Sequence, residues 1–287
     1  MSGFSADWLR LREPLDAAAR DPGLAHRFAA ALPERPRLLD IGAGTGSALR
    51  WLAPRLGRPA QRWTLADGDD ALLAAAPRAV AGWAARQSWL HLEAETLRTD
   101  LAAGFEALDL PGRDGVVASA VLDLVSEAWA GRFAAALAAA GRPPVLAMLS
   151  VDGRVAFDPP DADDAFVLER VAVHTGRDKG FGPALGARAP HVVAAALERA
   201  GYAVTLAASD WRLDPAADGD DGTAAALRAL VAGYAAAATE TDPGAADRIA
   251  AWAAWRGSTP AVLQVGHRDL LAVADRTPVM PSPARTC

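Results

Sequence analysis

Short apolar runs alternate with amphipathic segments along most of the chain. The run Leu38-Leu39-Asp40-Ile41 ends abruptly at Gly42, a pattern that predicts a buried parallel strand. Comparable runs predict further strands at residues 62–66, 89–92, 115–119, 145–150, 202–207 and 261–265. Segments with helical spacing predict helices at residues 47–56, 70–86, 127–140, 191–200, 223–238 and 245–255. This alternation predicts an α/β fold with a seven-stranded, mostly parallel sheet and helices on both faces.

The remaining segments predict additions to that sheet. Residues 5–32 have helical spacing that is broken at Asp21-Pro22-Gly23, which predicts an N-terminal pair of helices. Residues 151–157 predict a turn at Asp152-Gly153 followed by a strand. We therefore divide the chain into a helical cover (1–35), a core (36–150), a C-terminal half of the sheet (151–273) and a flexible tail (274–287). The C-terminal half carries insertions at about 151–190 and 215–260, and the second of these is helical and precedes the last strand.

Composition narrows the class of protein. No run approaches the ~18–20 apolar residues that a membrane span needs, and no apolar stretch precedes the first charges, so we expect neither a membrane protein nor a signal peptide. The single cysteine, Cys287, argues against a disulfide framework or a cysteine-clustered zinc site. The net charge is −6 and the basic residues, of which only Lys179 is lysine, are scattered, which argues against a nucleic-acid partner. We expect a cytoplasmic protein.

The glycine-rich segment after the first predicted strand carries the most chemical information. Asp40-Ile41-Gly42-Ala43-Gly44-Thr45-Gly46 places glycines where a strand ends and a helix begins. Glycines there let the backbone approach a ligand, and the free N–H groups of the helix face the same space. A dinucleotide fingerprint needs a glycine at the sixth position, where this chain has Ser47. The pattern resembles the first motif of the class I, Rossmann-like S-adenosylmethionine-dependent methyltransferases, an acidic residue followed by G-x-G-x-G.

The resemblance spans residues 36 to 150, with a weaker likeness to residue 273, and it implies a Rossmann-like fold with S-adenosyl-L-methionine as cofactor. Asp67, followed by Gly68, matches the second motif, in which a carboxylate accepts from the ribose hydroxyls. Asp100 and Leu101 match the third, in which an aspartate accepts from the adenine amino group beside an apolar residue, although Glu93 or Glu95 could hold that place. The implied cofactor residues are Asp40, Gly42, Ala43, Gly44, Gly46, Asp67, Gly68, Asp100, Leu101, Ser119 and Leu122.

The acceptor side is less clearly marked. The polar, glycine-rich stretch 174–183 follows the fifth predicted strand, so it is either an acceptor-binding lid or a solvated loop. We predict that it converges with the turn at Asp123 and with a helix bearing Arg12 and Asp16, with His174 as proton acceptor and Asp123 as an orienting carboxylate. His267 is expected to be structural. The acidic stretches 161–164 and 218–221 lack histidine and predict surface turns rather than a metal site.

These observations favour an enzyme that transfers a methyl group from S-adenosyl-L-methionine to an oxygen or nitrogen atom of a small molecule. A non-catalytic protein that binds S-adenosylmethionine or S-adenosylhomocysteine is an alternative, because the cofactor motifs are stronger than the acceptor motifs. An RNA or protein methyltransferase is a second alternative, although it would require a basic groove that the sequence does not offer. The sequence leaves the acceptor and the oligomeric state open.

Overall fold

The computed structural model describes residues 5–218 and 221–275. The strands are β1 (Arg37–Ile41), β2 (Ala60–Asp67), β3 (His91–Arg98), β4 (Gly115–Ser119), β5 (Val145–Asp158), β6 (Tyr202–Ala208), β7 (Trp211–Leu213) and β8 (Val262–Ala274). The α-helices are α1 (Ala6–Ala19), α2 (Pro22–Ala30), α3 (Ser47–Leu52), α4 (Asp70–Ala84), α5 (Glu127–Ala139), α6 (Asp164–Thr175), α7 (Ala189–Arg199), α8 (Pro215–Asp218), α9 (Asp221–Thr241) and α10 (Ala246–Ser258). Most of the tail predicted at 274–287 and part of the acidic stretch 218–221 lie outside the described residues.

The strands form one sheet in the order β3-β2-β1-β4-β5-β8-β6, with the short β7 paired to β8. β1 through β5 pair in parallel, and β8 runs antiparallel to β5, β6 and β7. The prediction of a mostly parallel α/β sheet is confirmed, with β7 as an additional short strand. The order reverses between β1 and β4, and in open α/β sheets a ligand binds beyond the carboxyl ends of the strands at such a reversal.

Side chains of the central strands alternate between two apolar cores, as the pleat of a strand requires. Leu38 faces the core formed with α2, α3 and α4, whereas Leu39 and Ile41 face the core formed with α5 and α7, and all three are completely buried. Both faces of β1 are therefore covered, which fixes the position of the loop that follows it. Among the described residues, no helix combines the length and the apolar character needed to cross a membrane.

The turn predicted at Asp152-Gly153 is wrong, because both residues lie within β5. β5 continues past the parallel sheet and stays paired with β8 as far as Asp158, with register shifts between Ala147 and Ser150 and again after Val151. Bulges of this kind bend a strand without ending it, and Gly153, at φ +85°, provides a conformation that other residues rarely adopt. The extended parts of β5 and β8, together with β7, α6, α9 and α10, form a region that we call the cap.

The predicted N-terminal pair of helices is confirmed as α1 and α2. α1 packs against α3 and α4 and also against β7 and α9, so it contacts both the parallel half of the molecule and the cap. Three buried charged residues lie four positions apart along α1 and at its C-terminal cap. They are Arg12, Asp16 and Arg20. Residues spaced by four share one face of a helix, so this charged stripe points into the protein.

Candidate functional site

The glycine loop begins where β1 ends and closes directly onto α3. Gly42, Gly44 and Gly46 have φ values of +64°, +53° and +82°, all in the left-handed region that favours glycine. Gly46 caps the N-terminus of α3. The loop is joined to the end of β2, because the Ala43 N–H donates to the Ala66 carbonyl at 3.1 Å. This is the strand, loop and helix arrangement that the sequence predicts, and it lies at the reversal of strand order.

Asp67, the last residue of β2, connects to the same loop. Its Oδ2 accepts from the Gly44 N–H at 2.7 Å, and its Oδ1 accepts from the Asp69 N–H at 2.9 Å. The side chain is half-buried, and a carboxylate oxygen can accept two hydrogen bonds, so each oxygen keeps one free acceptor position. Asp67 therefore both fixes the loop and remains able to bind a hydroxyl group.

The third predicted motif follows a strand that is longer than expected, because β3 runs to Arg98 instead of ending at residue 92. Glu93 and Glu95 thus lie inside β3, where Glu93 pairs with Arg62 at 2.9 Å and Glu95 accepts from the Thr64 hydroxyl at 2.8 Å. Beyond β3, Asp100 is exposed and Leu101 is buried, and Gly68, which follows β2, is also exposed. Asp100 Oδ1 accepts from the Ala102 N–H at 2.9 Å. Asp100 is therefore the acidic residue of this group that lies past the carboxyl end of β3.

The chain leaves β4 through a turn that brings several predicted residues to the same edge. Ser119 accepts from Arg20 Nη2 at 3.0 Å, and Leu122 is buried. The Asp123 carbonyl accepts from the Gly186 N–H at 2.9 Å, whereas its carboxylate atom Oδ1 is buried without a hydrogen-bond partner among the described residues. Burial raises the pKa of Asp123, and the nearby Arg12 charge opposes that shift.

Asp40 and Arg20 are buried charged groups at this edge. Asp40 is completely buried, and neither of its carboxylate oxygens has a hydrogen-bond partner within the described chain. Burial raises the pKa of Asp40 to about 8, although the Arg20 charge lowers it. Arg20 follows α1 and matches no motif, so sequence reasoning missed it. The four-residue spacing of Arg12, Asp16 and Arg20 is the signal that could have identified it.

α1 lies directly over the glycine loop. Leu9 Cδ1 is 2.9 Å from the position that a Cβ atom on Gly44 would occupy. Glu13 holds Arg50 through two hydrogen bonds of 2.8 and 2.6 Å, and Arg50 donates to the Thr45 carbonyl at 2.6 Å. The N-terminal cover thus reaches the predicted cofactor loop through one apolar and one ionic contact.

His174 is not in a loop, because it lies in the last turn of α6, and its Nε2 is 3.0 Å from Glu240 Oε2 of α9. The segment after α6 does return to the Asp123 turn: Phe181 packs against Trp129, and the Leu185 N–H donates to the Val125 carbonyl at 2.8 Å. The contacts of the described residues bring this segment to Asp123 but connect His174 itself to α9. Its catalytic role stays a prediction.

His267 is buried at the start of the cap. Its Nδ1 is 3.1 Å from the Val265 carbonyl, and burial, reinforced by the Arg12 charge, lowers the pKa of His267 to about 4. The imidazole lies against Trp211, with ring centroids 4.9 Å apart, and Arg12 lies over the same indole at 4.8 Å. Such a neutral, packed imidazole fits the structural role expected for it.

The acidic stretches 161–164 and 218–221 are predicted to be surface turns, and part of the second lies outside the described residues. Within the described chain, no three His, Cys, Asp or Glu side chains gather into a potential metal site. The stretch 161–164 is only partly the predicted surface turn, since Asp164 begins α6 and binds Arg256 of α10. Its carboxylate is therefore committed to an ion pair.

Comparisons with known proteins give distant likenesses. No family model matches the chain. A 45-residue segment is 62% identical to the biotin biosynthesis bifunctional protein BioCD of Bordetella avium (strain 197N), a match that covers 15% of this chain and 9% of that protein. The cyclopropane synthase MmaA2 from Mycobacterium tuberculosis is similar with a TM-score of 0.46 and 16% identity over 94% of each chain. A SAM-dependent methyltransferase from Thiobacillus denitrificans in complex with S-adenosyl-L-homocysteine is similar with a TM-score of 0.45 and 16% identity, over 94% of this chain and 99% of that chain.

The fold assignment rests on the chain's own features. The strand order reverses between β1 and β4, and at that reversal β1 carries Asp40 next to its last residue and is followed by three glycines. A carboxylate ends β2, and β8 alone runs against its neighbours. By these features the chain has a Rossmann-like α/β fold, as the sequence predicts.

Proposed function

We propose that this protein is an S-adenosyl-L-methionine-dependent methyltransferase that methylates an oxygen or nitrogen atom of a small molecule. The observation that carries the proposal is the joint formed by the glycine loop and Asp67, where the Gly44 N–H donates to Asp67 Oδ2 at 2.7 Å beside the reversal of strand order. This hydrogen bond holds the backbone of the glycine loop next to a carboxylate that has free acceptor positions. Both lie at the edge of the sheet where a ligand is expected.

The residues at this edge fit the parts of the proposed cofactor. Asp67 supplies acceptors for two ribose hydroxyls, and Asp100 with Leu101 supplies an acceptor and an apolar contact for adenine. We assign the backbone of the glycine loop to the cofactor site as well, and the predicted set is completed by Gly42, Ala43, Gly44, Gly46, Gly68, Ser119 and Leu122. The Asp40 carboxyl group, which has no hydrogen-bond partner among the described residues, supports the fit independently, since buried polar groups in proteins are normally hydrogen-bonded.

When bound, S-adenosyl-L-methionine supplies a methyl group on a positively charged sulfur. Asp67, Asp100 and the glycine loop would hold the cofactor, which would supply this methyl group to the acceptor oxygen or nitrogen and leave as the neutral thioether. The protein's part is then to orient the acceptor, exclude water and take the acceptor's proton. We assign to Asp123, whose Oδ1 is buried without a hydrogen-bond partner among the described residues, the role of orienting the acceptor, and to His174 that of proton acceptor.

A small-molecule acceptor is favoured by what surrounds the crevice. α1 lies over the glycine loop, and the cap borders the Asp123 turn through the segment that follows α6. This covering disfavours a folded protein or RNA chain as acceptor, and the net charge of −6 disfavours nucleic acid further.

Calorimetry with S-adenosyl-L-methionine and with NAD tests the cofactor. We expect saturable binding of the first only, and binding of NAD alone contradicts the proposal. Gly44→Val should abolish binding, because its side chain would meet Leu9 in a backbone conformation that favours glycine. Gly57→Val is the matched control, since Gly57 has φ +61° and no atom lies within 4 Å of the position that its Cβ would occupy, so it carries similar strain without the contact.

Turnover tests the acceptor side once a methylated product has been found by mass spectrometry with a panel of small hydroxyl and amine compounds. His174→Gln or Asp123→Asn should lower turnover by roughly 10²–10⁴-fold, the usual effect of losing a general base, while cofactor affinity stays unchanged. Unchanged turnover in both variants excludes these two catalytic roles and leaves the cofactor assignment in place.

A further inference from the structure

Trp129 of α5 is bonded to the turn that carries the third predicted motif. Its side chain is buried, and the indole Nε1 donates to the Leu101 carbonyl at 2.6 Å. Leu101 follows Asp100 in the turn beyond β3, to which we assign the contact with adenine. A buried carbonyl group needs a hydrogen-bond donor, so the indole fixes the position of this turn.

The same indole contacts residues 181–186 after α6, which we call the acceptor segment. The Phe181 ring meets the Trp129 ring edge-on, with ring centroids 6.0 Å apart and ring planes at 85°. Aromatic pairs favour such edge-to-face contacts at centroid separations of about 4.5–7 Å, because the positive edge of one ring faces the negative face of the other. Trp129 is therefore in contact with both the proposed adenine side and the acceptor segment.

The backbone around Trp129 reaches the acceptor segment a second time. The Trp129 N–H donates to the Ser126 hydroxyl at 3.2 Å, and Ser126 caps the N-terminus of α5. A Cβ atom on Gly182, which has φ +89°, would lie 3.4 Å from the Ser126 Cβ atom. The acceptor segment thus packs closely against the beginning of α5, where a glycine permits the approach.

Two further rings fix the orientation of the indole. Phe133 stacks on Trp129 with ring centroids 4.8 Å apart, and Phe105 meets it edge-on at 5.2 Å. Side chains packed in this way change position in discrete steps and pass strain to their neighbours, because an interior at this density has no room to deform gradually. A restraint on the Leu101 turn is therefore transmitted through Trp129 to Phe181.

We propose that Trp129 is a positioning residue that makes the position of the acceptor segment depend on adenine binding at Asp100 and Leu101. The proposal rests on the proposed function and adds to it a residue that matches none of the predicted motifs. Adenine restrains the Leu101 turn, and the indole then holds the acceptor segment against the turn at Asp123. The acceptor side is completed only when the cofactor is bound, which is a coupling between two sites.

Hydrogen exchange on the full chain, with S-adenosylhomocysteine as the probe, tests the proposal. The Leu185 N–H donates to the Val125 carbonyl and the Gly186 N–H to the Asp123 carbonyl, so these two amides report on the acceptor segment. In the wild type the probe should slow their exchange by about 5-fold or more, the lower end of coupling between sites, and leave the amides of α10 unchanged.

Two variants interrupt the connection at different points. Trp129→Phe removes the indole N–H, so the slowing should disappear, and calorimetry should show affinity for the probe weakened by about 3- to 10-fold, as for one neutral hydrogen bond. Phe181→Leu removes only the ring contact and leaves the bond between Trp129 and Leu101 in place. It should also abolish the slowing, while weakening the probe less than Trp129→Phe does.

Trp63→Phe is the matched control. Trp63 is as deeply buried as Trp129, and its Nε1 donates to Gln61 Oε1 at 2.9 Å, but it lies in the other apolar core. Its replacement loses one indole hydrogen bond without touching the Leu101 turn or the acceptor segment. Both the affinity for the probe and the slowing of exchange should therefore be those of the wild type.

The outcomes separate the proposal from the proposed function. If the wild type binds the probe and the slowing is absent there, or persists in Trp129→Phe or in Phe181→Leu, the proposal is wrong and the proposed function stands. If Trp129→Phe does not fold, Phe181→Leu decides by itself, because Phe181 is only half-buried. If the wild type does not bind the probe, the proposed function fails and the proposal fails with it.

Discussion

Arg256 in the cap and Arg20 at the sheet edge are both buried, and they differ in how their charge is matched. Arg256 donates through Nε to Asp164 Oδ1 at 2.9 Å and through Nη2 to the other oxygen, while its Nη1 donates to the Pro159 carbonyl at 3.0 Å. Trp252 Nε1 adds a bond to Asp164 at 2.9 Å. Arg20 has no such partner for Nε among the described residues.

In the cap, the protein itself satisfies the hydrogen-bonding groups of the buried arginine, whereas at the sheet edge it does not. In the cap, every nitrogen of the buried guanidinium group is satisfied by the protein, as is usual for buried polar groups. At the carboxyl ends of β1 and β4, the Asp40 oxygens and the Nε of Arg20 have no hydrogen-bond partner among the described residues. A buried polar group without a partner in the protein is a candidate for binding a ligand. A buried ion pair whose groups bond to each other has a structural role.

Removing the matched arginine should have the largest effect on stability. Arg256→Met leaves the Asp164 carboxylate buried without its cation, so we expect a loss of about 3–5 kcal/mol in the free energy of unfolding, measured by urea denaturation. Arg248→Met is the control, because its pair with Asp163 is half-exposed and such pairs contribute about 0–1 kcal/mol. Equal losses of stability in both variants would show that the buried pair of Arg256 is no more important for folding than an exposed pair.

Removing the Asp40 carboxylate should raise the free energy of unfolding instead of lowering it. The pKa of Asp40 is about 8 in the folded chain, against about 3.9 for an ordinary aspartate, so its contribution to stability is full below the lower value and is lost as pH rises to 8. Asp40→Asn should therefore be more stable to unfolding than the wild type at pH 8, and the gain should shrink as the pH falls toward 4. A variant less stable than the wild type at pH 8 shows that Asp40 is satisfied after all.

A carboxylate at the edge of the incomplete region should affect binding more than folding. Asp67→Ala is expected to weaken S-adenosyl-L-methionine by about 1.5–3 kcal/mol in calorimetry, the range for hydrogen bonds to a charged acceptor. Asp69→Ala is its neighbour control, because Asp69 caps α4 through the Ala71 and Leu72 N–H groups and should cost about 1 kcal/mol of stability with no change in affinity. A collapse of the melting temperature in Asp67→Ala, or unchanged affinity in a folded variant, makes Asp67 structural.

The contact between His174 and Glu240, on the outside of the cap, should contribute least to the stability of the protein. His174 and Glu240 are linked at 3.0 Å, but the Glu240 side chain is 66% exposed. His174→Gln and Glu240→Gln should each change the free energy of unfolding by less than about 1 kcal/mol in thermal denaturation, because water screens such a pair. A loss above about 2 kcal/mol in either variant would show that this contact is structural. A loss of turnover in His174→Gln could then result from lower stability instead of a lost catalytic group.

The features that sequence reasoning predicts well are those fixed locally. The strand before Gly42, the left-handed glycines and the carboxylate after β2 follow from short patterns, because apolar runs and glycine conformations act over a few residues. Asp152-Gly153 has the composition of a turn, yet pairing with β8, more than a hundred residues later, keeps it within a strand. Arg20 was missed for the same reason: a charged residue becomes informative only when tertiary structure buries it.

The uninterrupted course of β5 and β8 determines which part of the molecule can move. Both strands pass from the parallel sheet into the cap and stay paired on either side of the bulges. A hinge between sheet and cap would have to break that ladder, so the two should behave as one body in hydrogen-exchange measurements. α1 has no such backbone connection to the sheet among the described residues and is held by side-chain contacts such as that between Leu9 and the glycine loop. If the proposed cofactor binds beneath α1, its entry requires this helix to undock, and the amides of α1 should then exchange faster than those of β5 and β8.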